Sequence, residues 1–185
     1  IRGSALFYRA IIFYELAQLF APPYSTAVAS QPYGIPLKTS SDIGETTVRS
    51  TVEETYSKII GDVKESLRLL PPLPAYSTRP SKAAAYALLA RTYLVMNDYA
   101  NAEKYADSSL QLQAEIINYN VPLYVDTTAE TPFKRMNKEV IFHSVTRPIV
   151  ELLRSKVDTN LAKSYHTNDI RKKAFFKLNP DGSFH

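Results

Sequence analysis

The stretch that decides the fold is Ser81–Leu112, SKAAAYALLARTYLVMNDYANAEKYADSSLQL. Ser81 can cap a helix, and the run behind it is rich in alanine and leucine with no internal proline or glycine. Tyr86, Leu89, Ala90 and Tyr93 recur at steps of three and four, the spacing of one helical face. Asn97 to Tyr99 interrupts the pattern as a tight turn. Ala102, Ala106 and Leu110 then resume it as the inner face of a second helix. The small residues Ala83, Ala84, Ala85, Ala87 and Ala90 let neighbouring helices approach closely.

This pattern is similar to the tetratricopeptide repeat, a helix–turn–helix unit of about 34 residues that buries its apolar face on its neighbours. Such scaffolds bind and present; they rarely perform chemistry. Working outward, helices are predicted over residues 4–20, 51–70, 81–96 and 99–112. In the first, Leu6, Ala10, Phe13, Ala17 and Phe20 repeat at steps of four and three, and Ile11, Ile12, Leu16 and Leu19 widen the apolar surface. Only Arg9, Glu15 and Gln18 stay clearly polar, so burial between neighbours on several sides is expected. Pro22 and Pro23 end it.

Residues 21–49 form a long Pro-, Ser-, Thr- and Gly-rich loop, of the length that is often functional. In the next helix Thr51 with Glu54 can form a capping box, Ser50 with Glu53 being the alternative register. Val52, Tyr56, Ile59, Ile60, Val63, Leu67 and Leu70 make its buried stripe, with Glu53, Lys58, Asp62, Lys64, Glu65 and Arg68 facing water. Beyond Leu112 regularity weakens. Glu139–Val145 alternates like a short strand or a buried extended segment, and Val157–Tyr165 suits a helix. Asn179-Pro180-Asp181-Gly182 reads as a turn between strand-like pieces at Ala174–Lys177 and Ser183–His185. The expected fold class is therefore mostly all-α, tetratricopeptide-like helix pairs over residues 1–112, followed by an irregular region with a few short strands over 113–185.

The chain of 185 residues is 45% hydrophobic and 22% charged, a composition that supports a packed core. Its net charge is +4, but lysines and arginines are scattered among acids, and the densest basic run is only Arg171-Lys172-Lys173. A nucleic-acid footprint needs a clustered stripe, so no nucleic acid is expected as a partner. There is no cysteine, hence no disulfide, thiolate metal site or cysteine nucleophile. No apolar run reaches the roughly 18 residues that a spanning helix needs. His143, His166 and His185 lie far apart, and no metal or cofactor is expected. His166 with Asp169 is the nearest approach to a catalytic pair, but no nucleophile motif or phosphate loop accompanies it. A polar contact is the better reading, and no enzyme activity is expected. Aromatics are plentiful, 13 Tyr and 8 Phe. Those at helical spacing belong to the core. Tyr24, Tyr33 and Tyr76 sit in loops near proline, where a ring can present a flat face to a sugar or a protein partner.

Taken in order, these segments resemble the SusD/RagB family of nutrient-binding outer-membrane lipoproteins. The carrying residues are Arg9-Ala10 with Phe13 to Leu16 and Leu19-Phe20, then Pro23-Tyr24 and Gly34-Ile35-Pro36-Leu37. Arg49 to Glu54 with Tyr56 and Ile59-Ile60, the pair at Ser81–Leu112, Glu139 to Phe142 and Asn168 to Arg171 continue the series. Arg147–Lys156 fits less well than its flanks. The resemblance implies a lipid-anchored, surface-exposed protein of the outer membrane. It implies a partner, a SusC-like TonB-dependent transporter, to which oligosaccharides or other nutrients are delivered. It departs in lacking a lipid-bearing cysteine, helices before Ile1 and a C-terminal portion, as a fragment would, with 113–185 as the start of the ligand-binding part. A generic tetratricopeptide scaffold for a protein or peptide partner is the alternative.

Overall fold

The computed structural model describes residues 1–44, 46–129, 131–144 and 156–184. It forms two compact units, Ile1–Ala114 and Glu115–His185. The fold is mostly helical, as expected, and the described residues carry isolated β-bridges in place of strands.

In the first unit α1 spans Arg2–Phe20, α2 Val52–Leu67, α3 Lys82–Val95 and α4 Tyr99–Leu110. Neighbours in sequence pack together, most closely α1 with α2 and α3 with α4, and α2 joins the two pairs through α3. The helices α1 and α2 run antiparallel, because Arg2 pairs with Glu65, Arg9 with Asp62 and Gln18 with Tyr56. Phe7, Ala10, Ala17, Val52, Tyr56, Ile59, Val63, Ala83, Ala85 and Leu89 fill the core.

The helix ends follow local chemistry. Thr51 and Glu54 form the capping box, so the Ser50/Glu53 register is not taken. Ser81 accepts from the Ala84 N–H. At the α3–α4 turn Asn97 adopts φ +61°, and its N–H and that of Asp98 return to the carbonyls of Leu94 and Tyr93. That is a Schellman stop with asparagine in the left-handed position. Asp98 at once caps α4 through the Asn101 N–H.

Three expectations change. The outer face of α1 is not covered by described residues: Ile12, Leu19 and Phe20 are more than half exposed, with Tyr8 and Leu16 also open. Among the described helices it packs chiefly on α2 and, lightly, on α3. Asp62 does not face water; it is buried, taking a two-pronged contact from Arg9 at 2.7 and 2.8 Å and a third from Lys58 at 3.0 Å. Leu110 is exposed, and the inward position belongs to Ser109, whose hydroxyl donates to the Ala83 carbonyl at 3.0 Å.

The second unit is built on Ile117, Val125 and Ala174 with Tyr119, Tyr124 and Phe133. Tyr119, Phe133 and Phe175 form a triangle of rings with centroids 5.3–6.1 Å apart. Short helices α5 (Thr159–Ser164) and α6 (Ile170–Phe175) are capped by Asp158 and Asp169. Residues 139–144 make no bridge among the described residues and are mostly half-buried; Glu139 lies in a turn closed by the Val140 N–H on the Asn137 carbonyl, and Val145 lies outside the described residues. The turn at 179–182 does form: Gly182 has φ +80°, and Leu178 bridges Phe184. Its first arm is shorter than the sequence suggests, because Ala174 and Phe175 close α6. Residues 145–155, with most of the poorly fitting segment, and His185 lie outside the described residues.

Candidate functional site

The long loop after α1 is fastened to the start of α2, and the reason lies in the helix end itself. The first N–H groups of a helix lack intrahelical partners. Here the Val52 and Glu53 N–H groups donate to the carbonyls of Gln31 and Ala29, and the Glu54 N–H donates to the Thr51 hydroxyl. Gly34 approaches so closely that an added Cβ would lie 2.3 Å from both the Thr51 carbonyl oxygen and the Thr55 hydroxyl. Ile35 is buried behind it, its N–H donating to Thr55 Oγ1 at 3.1 Å. Arg49 ties the loop by donating to the carbonyls of Phe20, Tyr33 and Gly34 at 3.0, 2.7 and 2.8 Å. Pro36 and Arg49 bridge antiparallel.

This anchoring leaves a cleft of about 250 Å³ lined by residues 37–38, 46–50 and Glu54. Sequence reading missed it. Its visible signal was the polar run Lys38 to Thr47, but nothing in a loop's composition says which helix end it will satisfy. A second cleft, about 440 Å³, lies along α1 between Arg2, Ala5, Leu6, Arg9 and Glu65. Its charged groups are already paired, Arg2 with Glu65 and Arg9 with Asp62.

The three loop tyrosines do not converge. Tyr24 is half-buried, packs edge-to-face on Tyr56 at 5.3 Å and donates its hydroxyl to Glu53 Oε2. That carboxylate, with burial, pushes the Tyr24 phenol up to about 12. Tyr33 is half exposed, on the same side as the Arg49 clamp. Tyr76 is 74% exposed in the α2–α3 connector, whose Thr78 carbonyl accepts from Tyr8 near the start of α1. Since α2 runs for 16 residues, Tyr76 and the other two lie at opposite ends of a rod about 24 Å long.

A third aromatic group joins α2, α3 and α4. Tyr105 stacks between Tyr93 (5.5 Å, 6°) and Tyr86 (6.2 Å, 22°), with Lys64 over Tyr93 at 5.7 Å. These rings serve packing. The His166–Asp169 pair resolves as local contacts: His166 Nδ1 accepts from the Asn168 N–H, and Asp169 holds Arg171. No group of three metal-binding side chains occurs among the described residues.

A family model described as SusD-like, starch-binding and associating with the outer membrane, matches residues 1–94, just over half of the chain. The chain belongs to the SusD-like family. Among solved structures, this SusD-like chain is 32% identical to a SusD superfamily protein from Bacteroides thetaiotaomicron, over 59% of its own length and 24% of that protein's, with a TM-score of 0.54. A candidate sugar-binding protein from Bacteroides vulgatus is also 32% identical, over 60% of this chain and 24% of that one, TM-score 0.54. A SusD-like carbohydrate-binding protein from the same organism is 20% identical over 96% and 40%, TM-score 0.69, which speaks to fold alone. The SusD-like chain thus spans a quarter to two fifths of these relatives. No curated protein matches it.

Proposed function

We propose that this chain is part of a non-catalytic carbohydrate-binding component of an outer-membrane uptake system. The full-length protein would be lipid-anchored at the cell surface and would pass oligosaccharides to a SusC-like TonB-dependent transporter. The family match over residues 1–94 carries this reading. Its mechanism is capture, with ring faces and hydroxyl-bonding groups in place of an acid, base or nucleophile. Tyr24, Tyr33 and Tyr76 are the aromatic candidates. Tyr33 and Tyr76 have the open faces such stacking needs, whereas Tyr24 is held by Glu53. Binding of the full-length mature protein to a glycan array, with co-purification of a TonB-dependent transporter, tests the reading. Absence of both would refute it.

A second reading, a scaffold for a protein or peptide partner, rests on the exposed α1 stripe of Tyr8, Ile12, Leu16, Leu19 and Phe20. Exposed contiguous apolar surface of this kind favours a macromolecular contact. Co-purification of a non-transporter protein, lost on Ile12→Asp with glycan binding unchanged, would favour it.

A further inference from the structure

We propose that the cleft between residues 37–38 and 46–50, at the start of α2, holds a single neutral sugar ring. Lys38, Thr46 and Glu54 would make its polar contacts, and Leu37 and Val48 would face its apolar side. This rests on the carbohydrate-binding reading above.

Size comes first. Pockets for drug-sized ligands span about 300–1,000 Å³. A cleft of about 250 Å³ falls just below that range and suits one ring. Charge and bonding then set the ligand class. A helix start ordinarily attracts anions through its free N–H groups. Here the Val52, Glu53 and Glu54 N–H groups are already bonded within the chain, and the Thr51 N–H donates to Glu54 Oε2. That removes the usual anion site, and the Glu54 carboxylate in the lining opposes one further. What remains is a mixed set. Lys38 and Thr46 make no hydrogen bond with described residues, and Glu54 uses one carboxylate oxygen and keeps Oε1. One ammonium donor, one hydroxyl and one carboxylate acceptor match vicinal hydroxyls, which donate and accept at once. Val48 is 73% exposed and gives the CH face of a pyranose an apolar surface.

Preorganisation supports the assignment. The inner wall is fixed by the Arg49 clamp, by Ser50 Oγ donating to the Ile35 carbonyl at 2.7 Å, and by the Gly34 N–H on the Ser50 carbonyl at 2.9 Å. A ligand there does not have to order the loop, which lowers the entropic cost of binding. The rival cleft along α1 lacks this combination, because its cations already meet Glu65 and Asp62.

The test uses the full-length mature protein with soluble starch and a panel of neutral plant and host polysaccharides, with methyl hexosides as competitors. Lys38→Ala should weaken binding of the polysaccharide that the wild type takes by roughly tenfold, the loss of one charge-assisted hydrogen bond. Glu54→Gln keeps a capping-box side chain and should weaken it similarly without lowering the melting temperature. Glu103→Gln, on the exposed side of α4, should leave it unchanged. A methyl hexoside should compete and shift the amide resonances of residues 37–38 and 46–50. Wild-type binding with both variants within about twofold of it overturns the cleft while the carbohydrate reading stands. Loss of binding only on Tyr76→Ala also overturns it. No polysaccharide bound by the wild type overturns both.

Discussion

Replacing Gly34 by alanine should detach the loop that forms one wall of the cleft. The added methyl would meet the Thr51 carbonyl oxygen and the Thr55 hydroxyl at 2.3 Å, well inside contact distance. Neither can retreat easily. The Thr51 carbonyl accepts from the Thr55 N–H at 3.1 Å, and the Thr55 hydroxyl is bonded to Thr51, Ser50 and Ile35. The loop must move instead. Moving it breaks the Gly34 N–H contact with Ser50, the Ile35 N–H contact with Thr55 and the Arg49 contact with the Gly34 carbonyl. At about 1 kcal/mol each these contribute about 3 kcal/mol. Partial exposure of Ile35 adds up to about 1.5–3 kcal/mol. Relaxation lowers the total, and overpacking generally costs about 1–3 kcal/mol. We expect about 2–4 kcal/mol, a fall in melting temperature of about 5–15 °C for a chain of this size. Thermal denaturation followed by circular dichroism reads this, and hydrogen exchange should quicken at residues 34, 35 and 50. The internal control is Gly61→Ala. Gly61 sits in α2 with nothing within 4 Å of an added Cβ, so alanine should stabilise by up to about 1 kcal/mol. Equal melting temperatures for the two variants, with unchanged exchange at residue 35, would refute the close approach and the anchoring argument with it.

Further outcomes concern the first unit's helices. Asp62→Asn removes the negative charge and one of the two acceptor oxygens that Arg9 and Lys58 use, and should cost about 2–4 kcal/mol, somewhat less than a fully broken buried pair, because an amide oxygen still accepts and both cations are about a third exposed. Burial pushes the Asp62 carboxyl up, but hydrogen bonds from Arg9 and Lys58 outweigh it and hold it below the ordinary 3.8. Its contribution is therefore present above that pH and lost as the pH falls further; urea denaturation from pH 6 downward should lose less stability in Asp62→Asn than in the wild type. Asn97→Val places a β-branched residue at φ +61° and should cost about 1–3 kcal/mol, whereas Asn97→Gly should be neutral or better; equal values in chemical denaturation would count against the Schellman turn. Ser109→Ala should cost about 1 kcal/mol through the lost bond to the Ala83 carbonyl, and no change in unfolding midpoint would refute the inward placement of Ser109.

Helices declared themselves in the sequence where one face is apolar, the start carries a cap and a breaker follows the end. The runs behind Thr51 and Ser81 have all three, and α2 and α3 begin one residue after each. The three-residue turn at Asn97 was legible because asparagine tolerates the left-handed conformation. Long-range facts were not. Asp62 lies among solvent-facing charges on α2, and Arg9, one of the few polar residues on a largely apolar helix, is the hint of a partner. The end of α6 was not legible either: Ala174 to Lys177 reads as a strand-like arm, but the helix that Asp169 caps runs through Phe175. The loop tyrosines were visible one by one, but their separation along α2 depends on packing that no local pattern encodes. The cleft was hidden for the same reason: its wall exists because unpaired N–H groups at the start of α2 draw in a loop some twenty residues upstream.

The stack of Tyr86, Tyr105 and Tyr93 has a spectroscopic consequence. The chain has no tryptophan, so its near-ultraviolet spectrum belongs to tyrosine and phenylalanine. Two phenols 5.5 Å apart and nearly coplanar in orientation are close enough for their transitions to couple. With Lys64 of α2 over one of them, the resulting band reports the seam where both helix pairs meet. The native protein thus carries its own optical reporter of repeat association, readable without a label as the part of the near-ultraviolet signal lost on Tyr105→Leu.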